Sequence, residues 1–304
     1  MRVFFRASRL LYQGLVKPWG SRWTQRSGGT ADQIASFYDN LSAIYSGTML
    51  SDHERYIFRK YLPQPPARVL DIGCGAGRTT SFLAEEGYDV VGIDLSHVLI
   101  KSAQSRFPSI NFRVMDAGDL LFENDSFDAA IFSFNGLDCV APVGTRLQIL
   151  KEVLRVVKPG GRFYLSSHNI WEKFRPKTEN IRSALLWAFE LFTILTRQLV
   201  RPRFWNDYWW NYDSDGWILV FSGSPGKNLS SFGKIGWEKI AVCGRTMIGG
   251  RCLGEEGTLK RDDETYRLRW LTWNEHHIQY ILEKQAPSKI CKDTAYESSP
   301  GQAS

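Results

Sequence analysis

Val69-Leu70-Asp71-Ile72-Gly73-Cys74-Gly75-Ala76-Gly77-Arg78 decides how the rest of the chain is read, because an apolar, β-branched run breaks at once into alternating glycines. Val69 to Ile72 have the character of a central parallel strand, buried on both faces. Gly73, Gly75 and Gly77 permit backbone angles and close approaches that any Cβ would block, so backbone N–H groups can come near a ligand at the carboxyl end of that strand. A dinucleotide fingerprint, G-x-G-x-x-G, would place its third glycine where Arg78 stands. The spacing here is G-x-G-x-G, and a nicotinamide dinucleotide drops to second place.

Downstream, the strand-and-turn pattern repeats at the intervals of an α/β sheet. A helical stretch over 79–86 leads into Asp89-Val90-Val91-Gly92-Ile93-Asp94, a short strand ending in a carboxylate. Asp94 falls about 20 residues past the glycine turn, where a carboxylate can accept hydrogen bonds from both ribose hydroxyls. A third strand is expected over 110–117 with Asp116-Ala117 at its end, a fourth over 127–134 and a fifth over 161–167.

With these motifs in order, residues 36–169 resemble the class I S-adenosylmethionine-dependent methyltransferases. The resemblance implies an α/β, Rossmann-like, seven-stranded and mostly parallel sheet with helices on both faces. It implies that Asp71, Gly73, Gly75 and Gly77 wrap the methionine part of the cofactor, that Asp94 with Leu95 holds the ribose, and that Asp116-Ala117 meets the adenine. Tyr38, in a cap helix at 37–45, and Ser133, near the end of the fourth strand, are expected to complete the cofactor site. Val157-Lys158-Pro159-Gly160-Gly161 looks like the family's turn before the fifth strand, Trp237 to Cys243 its sixth strand, and His277 to Glu283 its last, antiparallel one.

The residue types suit that cofactor. A sulfonium needs no phosphate cradle, and Asp71, Asp94 and Asp116 match a cationic ligand rich in donors. Acids at single strand ends often only cap turns, but three at successive ends share one cleft. Cys74 fits the turn as a small packing residue. Two rival readings stay open: an NAD-dependent oxidoreductase, and a cofactor-binding scaffold without transfer activity.

Charge is unevenly placed. The net charge of +6 is carried before Asp32 by Arg2, Arg6, Arg9, Lys17, Arg22 and Arg26, so the remainder balances and nucleic acid is disfavoured as a partner. Drawn as a helix, Arg2, Arg6, Arg9, Gln13 and Lys17 share one narrow arc, with apolar residues around the rest. Such a segment reads as a membrane-surface anchor, a mitochondrial transit peptide or a helix packed on the domain. The expected location is the cytoplasm, peripheral on a membrane under the first reading and mitochondrial under the second. Five cysteines, Cys74, Cys139, Cys243, Cys252 and Cys291, contain no C-x-x-C pair, so neither a zinc site nor a disulfide framework is expected. His53, His97, His276 and His277 show no metal-ligand spacing.

The chain therefore divides into a basic segment at 1–30, a cofactor-binding core at 31–169, an insert at 170–233, closing strands at 234–285 and a polar tail at 286–304 expected to be disordered. The insert, expected to be mostly helical, holds six of the eleven tryptophans: Trp171, Trp187, Trp205, Trp209, Trp210 and Trp217. It reads as a satellite core or as an apolar lid over an acceptor, with Trp209 and Trp210 as acceptor contacts. His168, just past the fifth strand, is the candidate base, imidazole being the side chain that changes charge near neutrality. Asn135 and Asp138, past the fourth strand, are placed at the mouth of the cleft as further acceptor contacts. The Asn/Asp-Pro-Pro-aromatic run of base-modifying amino-methyltransferases is missing from Ser133-Phe134-Asn135-Gly136. The acceptor expected is a small molecule or lipid-linked group.

Overall fold

The structure, a computed structural model, describes residues 50–176, 181–200, 208–213, 216–244 and 277–286. The basic segment 1–30, the cap helix at 37–45 with Tyr38 and tail residues 287–304 lie outside the described residues.

In chain order the elements are α1 (Asp52–Tyr61), β1 (Arg68–Ile72), α2 (Arg78–Glu85), β2 (Asp89–Asp94), α3 (His97–Arg106), β3 (Asn111–Val114) and β4 (Phe127–Phe132). A 3-10 turn, Gly136–Cys139, precedes α4 (Val143–Val156) and β5 (Val157–Asn169). Next come α5 (Ile170–Phe174), α6 (Ile181–Val200), β6 (Tyr208–Asp213), β7 (Gly216–Gly223), α7 (Pro225–Ile235), β8 (Trp237–Gly244) and β9 (His277–Lys284).

β1 is an interior strand of the sheet. It pairs in parallel with β2 on one side and β4 on the other, β2 with β3, and β4 with β5. β9 runs antiparallel to both β5 and β8, so the Rossmann-like core order is β3-β2-β1-β4-β5-β9-β8 with β9 reversed. The alternation of side chains along a strand builds a core on each face. Val69, Ile131 and Tyr164 pack with Phe58 of α1 and Phe82 of α2, while Leu70, Ile72 and Leu165 pack with Ile149 of α4 and Phe232 of α7.

Local signals set the ends. Glu54 accepts from both the backbone N–H and the hydroxyl of Ser51, fixing the start of α1. Ser96 accepts from the N–H of Leu99 to start α3, and Gly236, at φ +116°, ends α7 in the left-handed conformation that glycine tolerates. Pro159-Gly160-Gly161 does not precede the fifth strand but lies within it. Between the pairs Phe127–Val157 and Ala129–Arg162, β5 uses more residues than β4, and the bulge is accommodated by Gly160 at φ +77°.

The stretch after β5 is mostly helical among the described residues, as expected, but it also contains a strand pair. α5, α6 and α7 are helices, but Trp209, Trp210 and Trp217 lie on the antiparallel hairpin β6–β7. The run Trp217-Ile218-Leu219-Val220-Phe221 is β-branched and aromatic, the composition of a strand, and its hydrophobicity alone does not separate the two states. β7 extends β5 where β4 has already ended, pairing His168 with Ser222 and Asn169 with Gly223. Cys74 and Cys139 form no disulfide, whereas Cys243 is disulfide-bonded to a residue outside those described, a bond that the expectation of no disulfide framework did not foresee.

Candidate active site

The carboxyl ends of β1 to β4 open on one cleft, lined by Gly73 and Gly75 of the turn, Asp94-Leu95, Asp116-Ala117 and Ser133-Phe134. The two turn glycines serve different purposes. At Gly73, φ is +64° and a Cβ would stand 2.8 Å from the Phe132 ring. At Gly75, φ is +56° and a Cβ would meet nothing within 4 Å, so the space beside it belongs to the cleft.

Asp94 ties that turn to the end of β2. Its Oδ2 accepts from the N–H of Gly75 at 2.9 Å and its Oδ1 from the N–H of Ser96 at 2.9 Å. A carboxylate offers about four acceptor sites, so these bonds orient the group without exhausting it. Asp116 is exposed, its Oδ1 accepting from the N–H of Gly118 at 2.7 Å. The cation in the wall is matched locally: Arg78 donates both guanidinium arms to Glu54 at 2.9 Å each and lies 5.1 Å from the centre of the Phe134 ring. Ser133 sits within 3.2 Å of the Thr79 hydroxyl and 3.5 Å of Arg78 Nη2. With Arg78 neutralised by Glu54, Asp94 and Asp116 leave the cleft suited to a cation. Arg78, Thr79 and Phe134 were missed as wall residues because the glycine motif describes only the turn, while these side chains come from the start of α2 and the loop after β4.

Two expected cofactor contacts lie elsewhere. Asp71 falls on the same face of β1 as Val69, fully buried under α2, where its Oδ2 accepts from the Thr80 hydroxyl at 2.7 Å. Burial pushes its carboxyl up to about 7, with Asp94 adding to the rise and the Thr80 bond and Arg78 opposing it. Its place is beneath the turn, not in the cleft. Gly77, at φ +85°, starts α2, and a Cβ there would meet the Phe112 ring at 2.9 Å. It allows helix and sheet to close up, and does not line the cleft.

Farther along the same edge stands a second arrangement. Asp138, in the 3-10 turn, is fully buried. Its Oδ2 accepts from the backbone N–H of His168 at 2.6 Å and faces His168 Nδ1 at 3.0 Å. Its Oδ1 accepts from the Ser167 hydroxyl at 2.9 Å and from Arg146 Nη1 at 2.9 Å. The expectation that Asp138 contacts the acceptor is thereby corrected: both oxygens are turned inward, and Asp138 positions His168. Asn135, φ +58°, is also buried rather than in the cleft wall, its N–H donating to the Ser166 hydroxyl at 2.8 Å. His168 is partly exposed, and its ring meets that of His277 edge-on at 5.0 Å.

Arg146 was not anticipated. Its signal was its phase, since on α4 it precedes Ile149, Leu150 and Val153 at helical spacing and so shares their buried face. Its guanidinium also donates to the Leu137 carbonyl at 2.8 Å and lies 4.0 Å from the Phe221 ring centre. The hairpin touches the cleft wall too, because buried Tyr208 donates its hydroxyl to the carbonyl of Val140, a wall residue. Trp209 and Trp210 pair across the hairpin with Val220 and Leu219. Their side chains lie outside the described residues.

The site fits S-adenosylmethionine on its own chemistry: two carboxylates for hydroxyl, amine and cationic groups, and open space beside a glycine turn. Comparisons with known proteins agree. Residues 69–161 match the family model for a methyltransferase domain. The demethylmenaquinone methyltransferase of Beutenbergia cavernae is 34% identical over 170 residues, 55% of this chain and 65% of that protein. That of Renibacterium salmoninarum is 34% identical, covering 51% of this chain and 68% of that protein. The chain thus spans about two thirds of the length of these curated relatives. Among solved structures, an S-adenosylmethionine-dependent methyltransferase of Methanosarcina mazei superposes with a TM-score of 0.54 at 22% identity, over 78% of this chain and 99% of that one.

Proposed function

Because this chain belongs to the class I S-adenosylmethionine-dependent methyltransferases, we propose that it methylates a small or lipid-linked acceptor whose nucleophile must first lose a proton, with His168 as the base. The observation that carries the reading is the Asp138–His168 pair beside the acid-lined cleft. A hydroquinone is the first acceptor to test, since the relatives above are named for a quinone.

When bound, S-adenosylmethionine supplies a methyl group on a cationic sulfur, an electrophile open to in-line displacement. Asp94 and Asp116 bind and orient the nucleoside part, and much of the rate acceleration comes from such positioning. Ionised Asp138 can only accept, so the hydrogen lies on His168 Nδ1 and Nε2 is the nitrogen that takes the acceptor's proton. Asp138 holds the ring in that tautomer and stabilises the imidazolium that results. Arg146 balances Asp138 in the resting state, so the buried carboxylate is paired before the reaction begins.

The hairpin β6–β7 is assigned to acceptor choice, with Trp209 and Trp210 as its candidate contacts. It supports this role by reaching the wall through Tyr208 and Val140. The experiment is release of S-adenosylhomocysteine on adding reduced demethylmenaquinone or simpler hydroquinones and phenols. Turnover with acceptors bearing an ionisable hydroxyl and none with their methyl ethers supports the reading. Equal turnover with both removes the base from the mechanism.

A further inference from the structure

The exposed face of α6 is unlike that of a helix on a water-facing surface. Such helices turn apolar residues to the core and charged ones outward. Of the α6 residues whose side chains are described, those exposed are Ile181, Leu185, Ala188, Phe192 and Leu195, every one apolar. Ile181 is 83% exposed, Leu185 67%, Phe192 64% and Leu195 37%. At roughly 100° per residue these positions fall within about 80° of arc. They form a single stripe along the helix. Its 20 residues span about 30 Å.

We infer that this stripe is a membrane-interface surface, seating the protein on an anionic bilayer with α6 lying in the plane of the headgroups. Two further observations select that occupant. Residues 170–205 carry seven Lys or Arg against three Glu, so the sequence that includes and flanks α6 has a positive balance that suits anionic headgroups. Among the described residues no helix is long and apolar enough to cross a membrane, so α6 lies on a bilayer rather than through it. The position also serves access to the site: α6 packs against β6, whose Tyr208 reaches the cleft wall. This surface stands independently of the acceptor, because vesicle binding does not require turnover.

The test uses the full chain and two double variants, Leu185→Glu with Phe192→Glu and Leu185→Gln with Phe192→Gln. Each is sedimented with vesicles of phosphatidylglycerol and phosphatidylcholine, and with phosphatidylcholine alone. Thermal melts, S-adenosylmethionine titration and light scattering accompany the binding. The native chain should sediment with the anionic vesicles, and both variants should bind about tenfold more weakly or worse, with melting temperature and cofactor affinity retained. Three results overturn the inference. One is equal vesicle binding by the native chain and the glutamine variant. Another is a native dimer that either variant converts to monomers, which makes the occupant a second copy. The third is a fall in melting temperature in the glutamine variant with vesicle binding unchanged, which makes it another segment of this chain.

Discussion

Asp138 grips His168 at two points, its Oδ2 accepting the backbone N–H at 2.6 Å and facing Nδ1 at 3.0 Å. The ring's orientation and tautomer are therefore fixed by one buried carboxylate. Asp138→Asn keeps the shape but presents an amide that can donate. Turnover should fall by about 10²- to 10⁴-fold while cofactor affinity, set in a cleft that neither residue lines, stays the same. Steady-state rates beside calorimetric titration separate the two.

Arg146 should prove a stability residue. Its removal leaves Asp138 buried with an uncompensated charge and takes the cation from the Phe221 face, so Arg146→Ala should cost about 3 to 5 kcal/mol. Arg146→Lys should recover only part of this, because an ammonium cannot reach Leu137 and Asp138 while stacking flat on a ring. Urea unfolding of the three proteins gives the ranking, and equal stability of native and Arg146→Ala protein would dismiss the network as a structural element.

The cofactor half of the site was legible because its residues are close in sequence to the strand ends that place them: Gly75, Asp94 and Asp116 each lie at or just past the end of a β-strand. The other half was legible only in part: His168 and Asp138 were named singly, but neither their pairing nor Arg146 and Phe221 could be read. Asp138, Arg146, His168 and Phe221 come from a turn, a helix and two strands, and only the sheet brings them together. Asp71 was misplaced for a related reason. The motif shows that an acid precedes the glycines, but the two-residue period of β1 turns it under α2.

Asp94 should be central to cofactor binding. Asp94→Ala removes the acceptors for the ribose and also releases the N–H of Gly75, so affinity should drop by about 1.5 to 3 kcal/mol or more. Asp94→Asn, which keeps one oxygen, should lose less. Unchanged titration of S-adenosylmethionine with Asp94→Ala would mean that the nucleoside lies elsewhere.

Asp71 makes stability depend on pH. Its carboxyl titrates at about 7 in the folded protein against an ordinary value of 3.8, so the folded state holds the proton more tightly than the unfolded one. That contribution is fully present below the unfolded value and is lost as pH rises toward 7. Asp71→Asn should escape the loss, so its stability relative to the native protein should increase from pH 4 to 7, by on the order of 3 kcal/mol. Parallel melting curves across that range would disprove the assignment.

The decisive comparison is S-adenosylhomocysteine release by the native chain and by His168→Gln, with reduced demethylmenaquinone or another hydroxyl-bearing acceptor that the native chain turns over. The base mechanism predicts a rate lower by about 10²- to 10⁴-fold in the variant, at unchanged S-adenosylmethionine affinity. A variant that releases product at the native rate would contradict it.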